Sequence, residues 1–235
     1  MLNNLRSKFG LIRRIIKTDF ILATLYKFSL FRKLDYKFSL IKSYKGYDNL
    51  KKFNLNKNSI VLDLGANVGD FAGYIFDNYK CNVYCYEPNP IPFKFMQKRL
   101  GSNKKIFLKN AGVDKGNGQK KMYLSKSNMG MNTVYYSTSS SLELRKNLDS
   151  NNLINIKVDS IDDILNQYNF IDLIKIDIEG SEYNILDSIL SNKDKIKFVV
   201  CEFHSKLDAH KQKKEHWVKI LKEKNLYEKW LYEWH

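Results

Sequence analysis

Asp63 sits inside the apolar run SIVLDL (residues 59–64), and the segment that follows reads GANVG, from Gly65 to Gly69. The next apolar run, NVYCYE, ends in Glu87, twenty positions beyond Asn67. A buried strand, a glycine turn and an acidic residue about twenty residues further on are the parts that hold a nucleoside cofactor. The turn takes the ligand's polar end, and the carboxylate accepts hydrogen bonds from a ribose diol. A dinucleotide needs G-x-G-x-x-G, and Asn67 occupies the second glycine position, which keeps a pyrophosphate from approaching closely. S-adenosylmethionine has no phosphate, and a G-x-N-x-G turn beside a carboxylate suits it better. Asp63, Gly65, Asn67, Gly69 and Glu87 are therefore the candidate cofactor-binding residues.

A second group of reactive side chains lies far along the chain. The run IDLIKIDIEGSEYNIL (171–186) carries Lys175, then Asp177 and Glu179, and the run FVVCEFH (198–204) ends in Glu202 and His204. Acids and a histidine at the carboxyl ends of neighbouring strands stand where open α/β sheets bind ligands. Methyl transfer from a sulfonium is an in-line displacement, so an acceptor hydroxyl must be held at about 3 Å and must lose its proton. Asp177 and His204 are the candidate general bases, with Glu179 completing the catalytic set. Asp177, Glu179, Glu202 and His204 would also suit Mg2+ in their oxygen-rich donor set. Neither H-x-x-x-H nor a cysteine-rich run is present, which argues against zinc. Acids near a helix start are also placed there by the helix dipole alone, and that is the competing account of Glu179 and Glu182.

These groups need a scaffold that brings strand ends together. From residue 59 onward the sequence alternates strand and helix patterns, which predicts a mostly parallel α/β sheet with helices on both faces. Strands are expected near 59–64, 82–87, 105–110, 171–177 and 196–203. FAGYIFDNY should form the first helix, Asn89 with Pro90 should start the second, and Ser160 with Asp163 should start a third as cap and N3 acid. GNGQKKMYLS (116–125) reads as a turn and short strand, and SKSNMGMNTVYYSTSSS (125–141) reads as a polar loop placed to cover the substrate. HWVKILKEK is expected to be helical, and LYEKWLYEWH to be a strand with a short or absent partner, as in a truncated chain. Residues 1–50 have another texture, with Leu, Ile, Phe and Tyr interleaved with Lys and Arg. That predicts a basic amphipathic helical extension, 1–50, ahead of a catalytic domain, 51–235, packing on that domain, on a second copy or on anionic lipid.

The 235 residues are 43% hydrophobic and 14% aromatic, enough for one α/β domain with a core. The formal charge of +15 favours anionic partners, whether phosphorylated small molecules, nucleic acid or an acidic membrane face. Three cysteines in apolar contexts read as reduced core thiols, and no stretch reaches the ~20 apolar residues of a membrane span. A cytoplasmic protein, peripheral at most to the inner membrane face, is the expectation.

VLDLGANVGDF, YEPNP, VDSIDDIL and LIKIDIEGSEYNIL, in this order and separation, resemble the FkbM-type S-adenosylmethionine-dependent methyltransferases over about residues 45–205. The resemblance implies a class I methyltransferase sheet of seven strands with a reversed last hairpin. It implies the cofactor over Gly65–Gly69, Glu87 on the ribose with Pro88 beside it, and Asn110, Ala111 and Gly112 near the adenine. It also implies O-methylation of a sugar, glycan or other natural-product hydroxyl, as in polysaccharide biosynthesis, with a small or glycan acceptor that the charge predicts to be anionic. Nucleic-acid methylation is disfavoured, because IDIEG stands where base-amino methylases carry an N-P-P-Y type tetrad. A non-catalytic scaffold using the basic N-terminus is the remaining alternative.

Overall fold

The structure is a computed structural model that describes residues 47–125, 148–204 and 208–230. Residues 1–46 of the basic helical extension expected over 1–50, most of the polar cover loop and the last five residues lie outside the described residues.

Five strands form the main sheet: β1 (Ile60–Leu64), β2 (Asn82–Tyr86), β3 (Ile106–Lys109), β7 (Ile171–Ile176) and β8 (Ile196–Cys201). Their order is β3-β2-β1-β7-β8, and every pairing is parallel. β1 and β7 read as near-continuous Ile, Val and Leu because both faces of the sheet are covered. Val61, Leu62, Leu64, Leu173, Ile174 and Ile176 have no more than trace exposure. The order reverses at β1, which has β2 on one side and β7 on the other, so the crevice of a doubly wound sheet opens at the carboxyl ends of those strands. The expectation of a mostly parallel α/β sheet holds. Among the described residues no antiparallel strand joins this sheet, so the reversed last hairpin is not seen there.

Helices α1 (Asp70–Tyr79), α2 (Pro90–Leu100), α3 (Ile161–Leu165), α4 (Glu182–Ser191), α5 (Asp208–Glu223) and α6 (Tyr227–Trp230) connect and flank the strands. Asn89 caps α2 as expected, its side chain accepting from the Ile91 N–H at 3.1 Å with Pro90 in the first turn. Ser160 precedes α3 without capping it. Its hydroxyl donates to the Lys115 carbonyl instead, and its own N–H goes to Asn117 Oδ1 at 2.8 Å. The expected terminal strand is corrected to helix over 227–230. Leu226 and Trp230 lie one turn apart, the Trp230 N–H reaches the Leu226 carbonyl at 2.9 Å, and Trp230 is fully buried in the core.

A second sheet, β4-β6-β5, was not anticipated. β4 (Gly112–Asp114) pairs parallel and β5 (Gly118–Ser125) antiparallel with β6 (Leu148–Ser160). Met122, Ile156 and Val158 form its own small core. The short 3-10 helix Tyr47–Phe53 packs on the opposite side of the main sheet, with Leu50 and Phe53 buried beside Phe71 and Val61.

Candidate active site

The turn after β1 is held by its own backbone. Gly65 N and Ala66 N both donate to the Tyr86 carbonyl, at 3.0 and 2.9 Å, which locks the turn onto the end of β2. Gly65, Asn67 and Gly69 all have positive φ (82°, 51° and 80°), a conformation natural to glycine and tolerated by asparagine. The space a Cβ would occupy at Gly65 is filled by the Asp177 carbonyl, 1.8 Å away. Gly65 therefore lets the first turn press directly against the loop after β7. At Gly69 the same space belongs to Met96 and Leu100 of α2.

Glu87 is buried under this turn. Its Oε2 accepts from Asn67 N at 2.8 Å and its Oε1 from Asn89 N at 2.7 Å. A carboxylate has about four acceptor directions, so two remain for ligand hydroxyls. Burial pushes its carboxyl up to about 7, against the pull of the two N–H donors. Asn67 Oδ1 is buried and accepts no hydrogen bond. Pro88 follows, half-covered, and Asn110 Nδ2 donates to the Glu87 and Pro88 carbonyls at 2.7 and 3.1 Å, which pins the end of β3 to the end of β2. Ala111 is fully buried and Gly112 lies beside Pro88. The free acceptors of Asn67 and Glu87 fit a donor-bearing nucleoside, and the residues present suit S-adenosylmethionine.

Asp63 lies deeper than a ligand contact would need. It has no exposed surface, and its charge is met by Lys175, whose Nζ is 3.4 Å from Oδ1. Burial raises the Asp63 carboxyl even so. Lys175 is itself buried, and its Nζ reaches the Gly65 carbonyl at 2.8 Å and Asp177 Oδ2 at 3.1 Å. Burial works against its charge, but Asp177 and Asp63 outweigh burial and hold Lys175 well above the ordinary lysine range. Tyr47, from the 3-10 segment, sits edge-on to Phe71 and Tyr74, near enough to feel the charges of Lys175, Asp70 and Asp63.

The acids after β7 and β8 converge on one imidazole. His204 Nε2 lies 3.9 Å from Asp177 Oδ1, 3.5 Å from Glu179 Oε2 and 3.6 Å from Glu202 Oε1. On the other side of the ring, Nδ1 is 3.2 Å from Oε1 of Glu182, a residue with no exposure. Burial lowers the His204 pKa, but the Glu182 contact and the charges of Glu179 and Asp177 reverse this and raise it. Burial and the Asp177 charge raise the Glu202 carboxyl. Glu179 and Gly180 carry positive φ, 56° and 111°, so this loop holds a strained glutamate. Asp177, Glu179 and His204 each offer a ligand atom within 4.8 Å of the others, a spacing that would admit a cation.

Two residues of this arrangement were not among the sequence candidates. Lys175 read only as a break in an apolar strand, and Glu182 only as a helix-start acid. A lysine inside an otherwise apolar buried strand was the available signal, because such a charge needs a partner.

A family description of this architecture exists. The model of the methyltransferase FkbM domain matches residues 63–228, more than half of the chain. The chain belongs to the FkbM methyltransferase family. As an FkbM methyltransferase it uses S-adenosylmethionine as methyl donor. The match spans both halves of the site, from Asp63 and the first turn to the acids around His204. Among solved structures, this FkbM chain is similar to precorrin-6y C5,15-methyltransferase from Geobacter metallireducens GS-15. The two share 12% identity over 74% of this chain and 69% of that one, with a TM-score of 0.41. No curated protein sequence matches the chain.

The three cysteines are free and buried, and burial pushes the Cys81 thiol up to about 11. They are packing residues rather than nucleophiles. Among the described residues no helix is long and apolar enough to cross a membrane.

Proposed function

We propose that this FkbM methyltransferase methylates a hydroxyl oxygen of a sugar, glycan or related natural-product acceptor, with His204 as general base and Asp177 beside it. The observation that carries the reading is the position of Asp177. Its carbonyl packs on Gly65 of the cofactor turn, and its carboxylate faces both Lys175 and His204. The base cluster thus adjoins the turn that would hold the donor. Bound there, S-adenosylmethionine supplies an electrophilic methyl group.

The chain's own residues do the remaining work. Glu87 and Asn67 hold the nucleoside end, with Pro88, Asn110 and Ala111 shaping its surroundings, and Asp63 supports the turn from below. His204 Nε2 takes the proton that the acceptor hydroxyl loses, and Asp177 and Glu179 orient that hydroxyl and balance the imidazolium. Positioning and proton removal are the two contributions a hydroxyl acceptor requires. The net charge of +15 favours an anionic, phosphate-linked acceptor over a neutral one. A cytoplasmic enzyme, with residues 1–50 as a basic extension meeting an anionic membrane face or a second copy, fits the same charge.

A cation-assisted form of the reaction has one observation in its favour, the convergence of Asp177, Glu179 and His204. Mg2+ there would acidify the hydroxyl in place of a free base. Glu202 would complete that donor set.

The test is methyl incorporation from labelled S-adenosylmethionine into a panel of free, nucleotide-linked and lipid-linked sugars, with Asp177→Ala and His204→Ala beside the wild type. Both variants should bind S-adenosylhomocysteine normally and lose transfer. Full turnover in either variant would remove that residue from the mechanism. Transfer to RNA with a steep fall in affinity as salt rises would replace the acceptor class.

A further inference from the structure

We infer that Glu182 is a positioning residue that holds the His204 imidazole with its proton on Nδ1, so that bare Nε2 faces the mouth formed by Asp177, Glu179 and Glu202. The inference deepens the reading of His204 as the base and rests on it for its catalytic meaning, though the tautomer itself can be read without any substrate.

The geometry leaves little choice of proton position. Glu182 Oε1 accepts the His204 main-chain N–H at 2.7 Å and lies 3.2 Å from Nδ1 of the same residue. Its Oε2 accepts the Gly180 N–H at 2.7 Å. Both Glu182 oxygens already accept main-chain N–H groups, so the oxygen facing the ring acts as an acceptor and Nδ1 donates to it. Burial alone would push the Glu182 carboxyl up. The His204 and main-chain hydrogen bonds overcome this and bring it below its usual value. The other ring nitrogen then carries the lone pair, and it is the one surrounded by the three mouth carboxylates.

The neighbouring elements fix the main chain that carries the ring. From α5, His210 Nδ1 lies 3.2 Å from the His204 carbonyl, and the His210 ring stacks on Tyr183, the residue after Glu182. An acid that only met the helix dipole would sit in solvent at the start of α4. Glu182 instead has no exposure and spends both oxygens on the loop after β7 and the end of β8. Ser181, in the cap position, makes no side-chain cap bond. A carboxylate that fixes an imidazole tautomer so the far nitrogen can take a proton is a recurring solution for a histidine base.

The experiment is long-range 1H–15N NMR of the full chain labelled at histidine, with His204 assigned by His204→Asn and spectra recorded at a pH where the ring is neutral. Wild type should show His204 with Nδ1 protonated and Nε2 bare. Glu182→Gln should shift His204 toward the Nε2-protonated form and lower kcat by about 10²-fold or more, leaving S-adenosylhomocysteine affinity unchanged. A wild-type His204 protonated on Nε2 overturns the inference, whether or not the variant folds. So does a tautomer that Glu182→Gln leaves untouched. The predicted tautomer with no methyl transfer to any acceptor would uphold the positioning role and overturn the proposed function instead.

Discussion

Lys175→Met should cost the fold far more than a lysine substitution usually does. Lys175 is 7% exposed and stands between Asp63, the Gly65 carbonyl and Asp177. Without it, Asp177, whose side chain is 27% exposed, can draw on water, but Asp63 has no exposure and keeps an uncompensated charge. Removing one member of a buried ion pair costs about 3–5 kcal/mol. For a chain of this size that is a fall in Tm of roughly 6–20 °C. Urea unfolding followed by the buried Trp217 and Trp230 would measure it. Asp63→Asn combined with Lys175→Met should recover most of the loss, because the isolated charge is then gone. The deficit of the single variant should also shrink as pH falls. Burial already raises the Asp63 carboxyl, and loss of the ammonium raises it further, so the native state takes up a proton as the solution is acidified. A loss below about 1 kcal/mol, or no recovery in the double variant, would refute the view that Lys175 serves to neutralise Asp63.

Gly65→Ala places a Cβ 1.8 Å from the Asp177 carbonyl at a φ of 82°. It should destabilise by about 2–4 kcal/mol and abolish cofactor binding, as thermal unfolding and titration would show. Glu87 titrates at about 7 because burial penalises its charge, and ribose hydroxyls need the ionised acceptor. S-adenosylhomocysteine affinity should therefore rise between pH 6 and 8, being about tenfold below its plateau at pH 6, and be flat with pH in Glu87→Gln. Because the His204 pKa is raised, a neutral base appears only at higher pH, and kcat should climb with an inflection above the ordinary histidine value. EDTA treatment followed by added Mg2+ separates the two forms of the reaction: unchanged turnover supports His204 acting alone, and lost and restored turnover supports the cation.

The positions of the main-sheet strands were legible because each is a mostly apolar run bounded by turn residues, as IVLDL before GANVG shows. The Asn89 cap was legible for the same local reason. Ser160 carried an equally good local signature, and tertiary contacts with Lys115 and Asn117 overrode it. β6 was missed although Ile154, Ile156 and Val158 alternate with Asn155 and Lys157, because most of its pairing is with β5, which read only as an isolated short strand after a turn. At the site, residue types and spacing picked out Glu87, Asp177, Glu179 and His204 as candidates, and the structure brings the last three together. The roles of Lys175 and Glu182 depend on burial and on partners far along the chain, such as Asp63 for the lysine and His204 for the glutamate. No local pattern encodes those pairings.

Calorimetric titration of the purified chain with S-adenosylhomocysteine, beside NAD and repeated on Glu87→Ala, tests the account at its centre. Micromolar binding of S-adenosylhomocysteine that weakens in Glu87→Ala, with none for NAD, is the predicted result. A folded chain that binds no S-adenosylhomocysteine, or binds it equally well without the Glu87 carboxylate, would contradict it.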